Sequence, residues 1–154
     1  MADKVGHINR FLHERTEGGK YATIFYCLLD RAGRLRFINA GHCAPILISQ
    51  DGRYEYLETT AMPVGLLPQT EFAVEERQLS PGDRLMIYTD GVTEAENLRH
   101  EFFGSRQLRE IAVAHARDSG AALHDAVLGA VNAFVDSASQ ADDITLVVVE
   151  YRPD

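Results

Sequence analysis

The sequence predicts an α+β fold built from antiparallel strands and helices. Three observations support this: an amphipathic helix opens the chain, about six strand-like segments separated by turns follow it, and two helical segments precede one last strand. A run of strands followed by helices favours this class over a doubly wound parallel sheet. The 154 residues are enough for one core, and we expect a single domain over residues 1–154.

The first half of the chain has the pattern of one helix followed by two hairpins. Apolar residues recur on one helix face at Val5, Ile8, Phe11 and Leu12, and we expect Asp3 to cap the N-terminus. That face should belong to the core, or else form a surface for a second copy or a partner. The helix should end in TEGGK, residues 16–20. The predicted hairpin strands are Tyr21–Leu29, Arg34–Ile38, residues 46–49 and Arg53–Leu57.

The second half predicts further strands, then helices, then a last strand. The expected strands are Glu71–Leu79, Leu85–Thr89 and Ile144–Tyr151, and the expected helices are Thr93–Leu98, a helix capped by Ser105 and a longer helix over residues 123–134. Strands with continuous apolar runs should be central and buried on both faces, namely Tyr21–Leu29, Leu85–Thr89 and Ile144–Glu150. Strands that alternate should be half exposed, namely Arg34–Ile38 and Arg53–Leu57.

Composition and charge exclude several classes of protein. The net charge is −8, from 23 acidic residues against 15 Lys and Arg, and an acidic surface repels phosphate backbones, so we expect no nucleic-acid partner. No apolar run approaches the roughly 20 residues of a membrane span, and the first residues lack a signal-peptide core. Cys27 and Cys43 are expected to be free thiols. We therefore expect a soluble, cytoplasmic protein with no membrane partner in this segment.

Acidic residues lie at the ends of two apolar strands. The segment LMIYTDGVTEA, residues 85–95, places Asp90 at the end of a strand, and Asp142 and Asp143 stand directly before the last strand. Strand ends in one sheet can be neighbours, and a hard divalent cation such as Mg²⁺ or Mn²⁺ stabilises converging carboxylates. Asp-Gly is equally a common turn pair, in which Gly91 would adopt a positive φ angle. Spacing alone leaves both interpretations open.

Other polar residues near these segments admit two interpretations each. His42 could act as a general acid, or it could fix its loop by hydrogen bonding to the backbone. Thr89 and Thr93 could orient the nearby carboxylate, or could reflect strand propensity and helix capping. Glu94 and Glu96 could reach a hydrated cation, or could simply suit the first turn of a helix.

Six segments, in a fixed order, span nearly the whole chain and carry a family pattern. They are KYATIFYCLLD (20–30), LRFINAGHCAPILI (35–48), MPVGLLP (62–68), LSPGDRLMIYTDGVTEAEN (79–97), FFG (102–104) and DDITLVVV (142–149). Together they resemble the metal-dependent serine/threonine protein phosphatases of type 2C (PPM-type), and most closely their bacterial SpoIIE-like branch. The resemblance implies an antiparallel β-sandwich flanked by helices, with phosphoprotein phosphatase activity.

The resemblance also implies a metal centre and a class of substrate. Its members hold two Mn²⁺ or Mg²⁺ ions, and the matching ligands here are Asp90 and one residue of the acid pair, Asp142 as first choice and Asp143 as second. A metal-bound water attacks phosphoserine or phosphothreonine, because two ions lower the pKa of the water and neutralise the developing charge. Substrates in the bacterial branch are regulatory phosphoproteins such as anti-anti-sigma factors, which implies control of sigma factors. No catalytic residue beyond the metal ligands is implied.

The sequence departs from the family at its first half. The GDxxD motif, whose aspartate bridges both metal ions, has no match; the one Gly-Asp pair, Gly82-Asp83, lies in a turn. We therefore expect the C-terminal portion of the catalytic domain, without its N-terminal strands, that binds metal weakly or partially and is inactive alone. The alternative is a non-catalytic module that binds a partner or forms a homodimer.

Overall fold

The computed structural model describes residues 1–17, 19–138 and 142–153, so Gly18 of the predicted helix terminator lies outside the described residues. The elements are α1 (Ala2–Arg15), β1 (Ile24–Leu29), β2 (Arg34–Ala40), β3 (Ile46–Ile48), β4 (Tyr54–Tyr56), β5 (Glu75–Gln78), β6 (Arg84–Tyr88), α2 (Asp90–Thr93), α3 (Gly104–Ala114), α4 (Gly120–Val135) and β7 (Leu146–Glu150). They form two compact units. The first unit is Met1–Ala44 with Leu57–Leu79, and the second unit is Pro45–Tyr56 with Ser80–Arg152.

Each unit contains one antiparallel sheet. The sheet of the first unit has the order β1-β2-β5, and the sheet of the second unit has the order β4-β3-β6-β7. Both predicted hairpins are present, since β1 pairs with β2 and β3 pairs with β4. Two antiparallel sheets accompanied by helices confirm the predicted α+β class.

In the first unit, α1 packs on the sheet through only part of its apolar face. Val5 is buried with two residues of β2, Ile38 and Ala40, and with two residues of the segment between β4 and β5, Val64 and Phe72. Ile8 and Phe11, which the helical pattern assigned to the same face, are exposed. The expectation that this face belongs to the core is therefore right for Val5 and wrong for Ile8 and Phe11. Met1, not Asp3, occupies the N-cap position, and no side chain caps this end of the helix.

Two buried asparagines hold the loops of the first unit. Asn9 on α1 donates from Nδ2 to the Leu67 carbonyl at 2.9 Å and accepts from the Gly65 amide at 2.8 Å. Asn39 on β2 donates to the Leu57 carbonyl at 3.0 Å and accepts from the His42 amide at 2.9 Å. A buried amide side chain that is satisfied at both ends fixes its loops firmly. The sequence interpretation considered His42 for this role and missed Asn39.

In the second unit, α3 and α4 pack together, and α4 packs against β7. Leu123, Val127 and Val131 of α4 are fully buried, as the predicted inner face requires. Ser119 caps α4 by accepting from the Ala122 amide at 3.2 Å. The predicted cap Ser105 is instead the second residue of α3, which begins at Gly104. No helix in the described ranges has both the length and the apolarity needed to cross a membrane.

The burial predicted for the apolar strands is right for β6 and wrong for β1 and β7. β6 lies between β3 and β7 and is buried almost throughout. β1 and β7 are edge strands. On β7 the side chains alternate, with Val147 exposed at 45% and Val149 at 37%. A continuous apolar run does not distinguish a central strand from an edge strand with an exposed apolar face, because both use the same residues.

A buried ionic cluster joins β6, β7 and the helices of the second unit. Arg84, exposed at only 2%, donates to the carbonyl oxygens of Gly82 and Ala116, and its Nη2 lies 3.8 Å from Glu150 Oε1. Glu150 accepts at 2.9 Å from both Arg152 Nη2 and the Gly120 amide. These two hydrogen bonds, with the positive charges of Arg152 and Arg84, lower the pKa of Glu150 to about 2.

Replacing Glu150 with Gln is expected to destabilise the protein in a pH-dependent way. Because the folded pKa of Glu150 is depressed, its contribution is complete above the ordinary value of 4.5 and is lost as the pH falls toward about 2. The free energy of unfolding in urea should therefore fall by about 1–2 kcal/mol at pH 7. That deficit should shrink below pH 4.5.

Glu110→Gln is the matched control for this prediction. Glu110 is exposed on α3 and pairs with Arg106 at 3.5 Å, so its loss should change the free energy of unfolding by under about 0.5 kcal/mol. A Glu150→Gln deficit that stays constant as the pH falls through the acid range would contradict the assigned role of the charge.

Candidate functional site

The ends of β6 and β7 meet at a junction organised by Thr89. The Thr89 amide donates to the Thr145 carbonyl at 3.1 Å. Its hydroxyl donates to the Asp143 carbonyl at 3.1 Å and accepts from the Thr145 amide at 3.0 Å. Thr89 therefore positions the backbone that carries the acid pair, which differs from both roles considered for it in the sequence. Asp90 follows Thr89 directly, so the junction brings the predicted site residues from two strands to one end of the sheet.

Gly91 is required at this junction by close packing and not by a turn. Asp90 is the first residue of helix α2, so Asp90-Gly91 does not form a turn. The predicted helix over Thr93–Leu98 begins earlier than expected and ends at Thr93. Gly91 is absent from the residues with positive φ. A Cβ atom at Gly91 would lie 2.4 Å from the Asp143 carbonyl oxygen, which is closer than any real Cβ contact.

The three candidate ligands are exposed at the junction. Asp90 Oδ1 accepts from the Gly91 amide at 3.0 Å, and Asp142 Oδ1 accepts from the Asp143 amide at 2.7 Å. Asp143 is exposed as well, and its carbonyl accepts from Thr89. The local bonds orient two of the carboxylates, and the site presents oxygen donors to solvent.

The donor chemistry of these residues suits a hard divalent cation, but their number does not suit a two-metal centre. Carboxylate oxygens are the ligands that Mg²⁺ and Mn²⁺ prefer. Among the described residues, however, no group of three or more His, Cys, Asp or Glu side chains is arranged to hold a metal ion. The described part of this chain therefore does not fit a complete two-metal site.

A cavity of about 360 Å³ lies beside the junction within the second unit. Its lining residues are Gly91, Glu94, Ala95, Glu96, Phe102, Asn132, Val135, Asp136, Asp142 and Ile144. The sequence interpretation considered Glu94 and Glu96 but missed Phe102, Asn132 and Asp136. Nothing in their local pattern indicated a site, because Asp136 follows α4 with a positive φ of 54° and is brought to the cavity only by the packing of that helix.

The fold of the chain is similar to that of domains in two solved bacterial structures. It matches the crystal structure of the RsbU and RsbW domains of Rv1364c from Mycobacterium tuberculosis with a TM-score of 0.76 and 26% identity, covering 99% of this chain and 42% of that chain. It matches the phosphatase domain of the cell fate determinant SpoIIE from Bacillus subtilis (Mn presoaked) with a TM-score of 0.71 and 19% identity, covering 97% of this chain and 66% of that chain. The latter likeness concerns the fold alone.

The chain belongs to the stage II sporulation protein E (SpoIIE) family, whose model matches residues 1–152. It is 34% identical over 140 residues to protein IcfG of Synechocystis sp., covering 90% of this chain and 22% of that protein. It is 24% identical over 147 residues to the phosphoserine phosphatase RsbP of Bacillus subtilis, covering 95% of this chain and 35% of that protein. The chain thus spans between about a fifth and about a third of the length of these two relatives. The expected family is confirmed.

Gly91→Ala is expected to disrupt the junction. The added methyl group would collide with the Asp143 backbone, so β6 and β7 must separate at this end, and the free energy of unfolding should fall by about 1–3 kcal/mol. Gly129→Ala is the matched control, because Gly129 lies inside α4 with open space around its Cβ position. It should stabilise the protein by about 0.5–1 kcal/mol. Urea unfolding of both variants checks the prediction, and similar free energies for the two would contradict it.

Proposed function

We propose that this chain is the C-terminal portion of a Mn²⁺- or Mg²⁺-dependent serine/threonine phosphoprotein phosphatase domain. In this proposal Asp90 and Asp142 are its share of the metal ligands, with Asp143 as the alternative within the pair. The observation that carries the proposal is the junction: residues 54 positions apart in sequence, Thr89 and Asp143, are hydrogen bonded, and an exposed aspartate stands beside each. Membership of the SpoIIE family, and the name phosphoserine phosphatase carried by RsbP, support the reaction class.

The proposed substrate is a regulatory phosphoprotein such as an anti-anti-sigma factor. This follows from the bacterial branch that the sequence resembles, in which such phosphatases control sigma factors. The RsbU and RsbW domains of the similar mycobacterial chain occur in one crystal structure, which is consistent with a place in phosphoprotein signalling. The acidic net charge of −8 gives the phosphate-rich backbone of nucleic acid no attraction, so the proposal includes no nucleic acid.

A second candidate function is a non-catalytic module that binds a partner or a second copy. Two observations favour it. The described residues include too few metal ligands for a two-metal site, and apolar residues are exposed on β7 and α1. Apolar residues exposed on an edge strand are typical of a surface that pairs with another chain. The two candidates differ in one measurable property, the recovery of hydrolysis when a GDxxD-bearing segment is supplied.

The chain alone is expected to bind Mn²⁺ weakly and to hydrolyse nothing. Two carboxylates hold a divalent ion only loosely, and without a bridging ligand the attacking water keeps a high pKa. Calorimetry should show weak Mn²⁺ binding that Asp90→Asn removes and that the control Asp125→Asn, an exposed acid on α4, does not. Turnover of a phosphoserine peptide or para-nitrophenyl phosphate should equal that of a heat-denatured sample.

A longer polypeptide tests the catalytic proposal directly. A segment that is encoded upstream and contains GDxxD is either fused to the 154-residue chain or added to it as a separate polypeptide. Mn²⁺-dependent hydrolysis should appear, and Asp90→Asn should abolish it again. Robust turnover by the 154-residue chain alone, sensitive to Asp90→Asn, would show that it builds a complete site in another way. No turnover in the completed domain would favour the non-catalytic module.

The proposal also includes a homodimer formed through the edge of β7. Backbone groups of an edge strand are free to pair, and Val147 and Val149 extend an apolar surface along it. Sedimentation velocity at micromolar concentrations should show self-association that Val147→Lys combined with Val149→Lys reduces. Val74→Lys, at an exposed valine of the first unit, is the control and should leave it unchanged. A monodisperse monomer across the concentration range would contradict the dimer.

A further inference from the structure

We infer that the cavity beside Asp142 binds a basic side chain, Lys or Arg, from the segment of the phosphoprotein that flanks its phosphorylated residue. The identity of the partner rests on the proposed function. The cavity would add to that function a specificity site next to the metal ligands, which shares Asp142 with them. It would also define the chemical class of a residue that the substrate must carry. Three features of the cavity support this role: its volume, the composition of its walls and the charge around it.

The cavity is large enough for a long side chain and has apolar walls. Its volume is about 360 Å³, within the range of pockets that bind small ligands. Among the lining residues Gly91 and Ala95 are buried, and Val135 and Ile144 are half-buried. An apolar lining of this kind suits the aliphatic stem of Lys or Arg, which packs on apolar surface while its charged end stays in a polar environment.

An exposed aromatic ring stands at the wall of the cavity. Phe102 is 63% exposed, whereas its neighbour Phe103 is only 4% exposed and stacks edge-on against Phe134 at 5.5 Å. Packing in the core thus explains Phe103 and leaves Phe102 unexplained. The face of a phenyl ring attracts a cation, more often Arg than Lys. This observation is independent of the acidic residues and points to the same ligand.

Four carboxylates line the cavity: Glu94, Glu96, Asp136 and Asp142. His100 pairs with Glu96. Glu94 and Asp136 have no side-chain hydrogen bond or ion pair with any residue in the described ranges. No Lys or Arg is among the described lining residues. An anionic ligand would be repelled, and an uncharged one would bury carboxylates without compensation, so a cation with an apolar stem is the ligand that fits.

The position of the cavity places the basic residue close to the phosphorylated one. Asp142 lines the cavity and is also a proposed metal ligand, and Gly91, another lining residue, directly follows Asp90. A substrate segment that reaches the proposed metal ligands therefore passes the cavity within a short stretch of chain. The same site would discriminate against phosphoproteins with acidic residues at that position, because like charges would meet at the cavity.

The test measures binding of fluorescent peptides to the 154-residue chain in the presence of EDTA. Each peptide has a central phosphoserine in an alanine background and one Arg, which is placed at a different flanking position in each peptide. In the control series norleucine, an uncharged side chain of similar length, replaces the Arg. At one or two positions Arg should improve binding about five- to tenfold over norleucine. Replacing the same Arg with Glu should remove binding.

Matched variants separate the cavity from the general acidity of the protein. Glu94→Gln with Asp136→Asn removes two charges at the cavity, and Asn tolerates the positive φ at position 136. Glu58→Gln with Glu71→Gln removes two charges from exposed sites in the first unit. The Arg preference should disappear in the cavity variant and persist in the control, and Phe102→Ala should weaken it. Circular dichroism confirms that each variant is folded.

Each remaining outcome of this experiment decides against the cavity site or against the proposed function. No Arg preference at any position, or an equal loss of preference in both double variants, overturns the cavity site. An Arg preference that depends on the cavity, accompanied by no hydrolysis in the completed domain, supports the cavity site and rejects the phosphatase activity. Hydrolysis by the completed domain that does not depend on the charge of the flanking residues supports the phosphatase activity and rejects the cavity site.

Discussion

The close contact between Gly91 and the backbone of Asp143 is the constraint on which the rest of the candidate site depends. It allows the first turn of α2 to lie directly against the chain that enters β7, and the hydroxyl of Thr89 closes the contact from the other side. Because backbone packing holds the chain on both sides of the contact, Asp90 at the start of α2 and the acid pair in the segment before β7 lie next to the ends of β6 and β7. Gly91 also lines the cavity that Asp142 lines. One residue without a side chain thus serves both the acid pair and the cavity.

The charge of the second unit is organised in two different ways. At one place Glu150 is satisfied by Arg152, by the Gly120 amide and by Arg84, and its pKa lies at about 2 because of these partners. At the cavity, Glu94 and Asp136 have no such partners among the described residues. A carboxylate that is satisfied within the protein contributes to stability, whereas one left facing a cavity is available to a ligand. The presence or absence of partners within the protein therefore separates structural acids from candidate functional acids, which a count of acidic residues does not.

Much of the fold could be predicted from the sequence, because local patterns determine it. The hairpins, the buried β6 and the inner face of α4 follow from alternation and from helical spacing. The pattern could not identify β7 as an edge strand, since valines serve equally well in central and edge strands. It also assigned Gly91 to a turn, because the contact that requires glycine comes from a residue more than 50 positions away in sequence. The acids at the strand ends were predictable, but Phe102 and Asp136 were not, since tertiary packing alone brings them to the cavity.

The backbone amide and carbonyl groups of β7 alternate in direction along the strand, which determines which of them face away from β6. Hydrogen bonds toward the β6 side are made by the carbonyl of Thr145 and by the amide and carbonyl of Tyr151. Because backbone groups of successive residues in a strand point to opposite sides, those of Leu146, Val148 and Glu150 point away from β6. These groups repeat about every 7 Å, a spacing that matches any extended backbone, whatever its side chains. A strand that paired with β7 would therefore be selected by its geometry and length, and its sequence could vary wherever it did not touch Val147 or Val149.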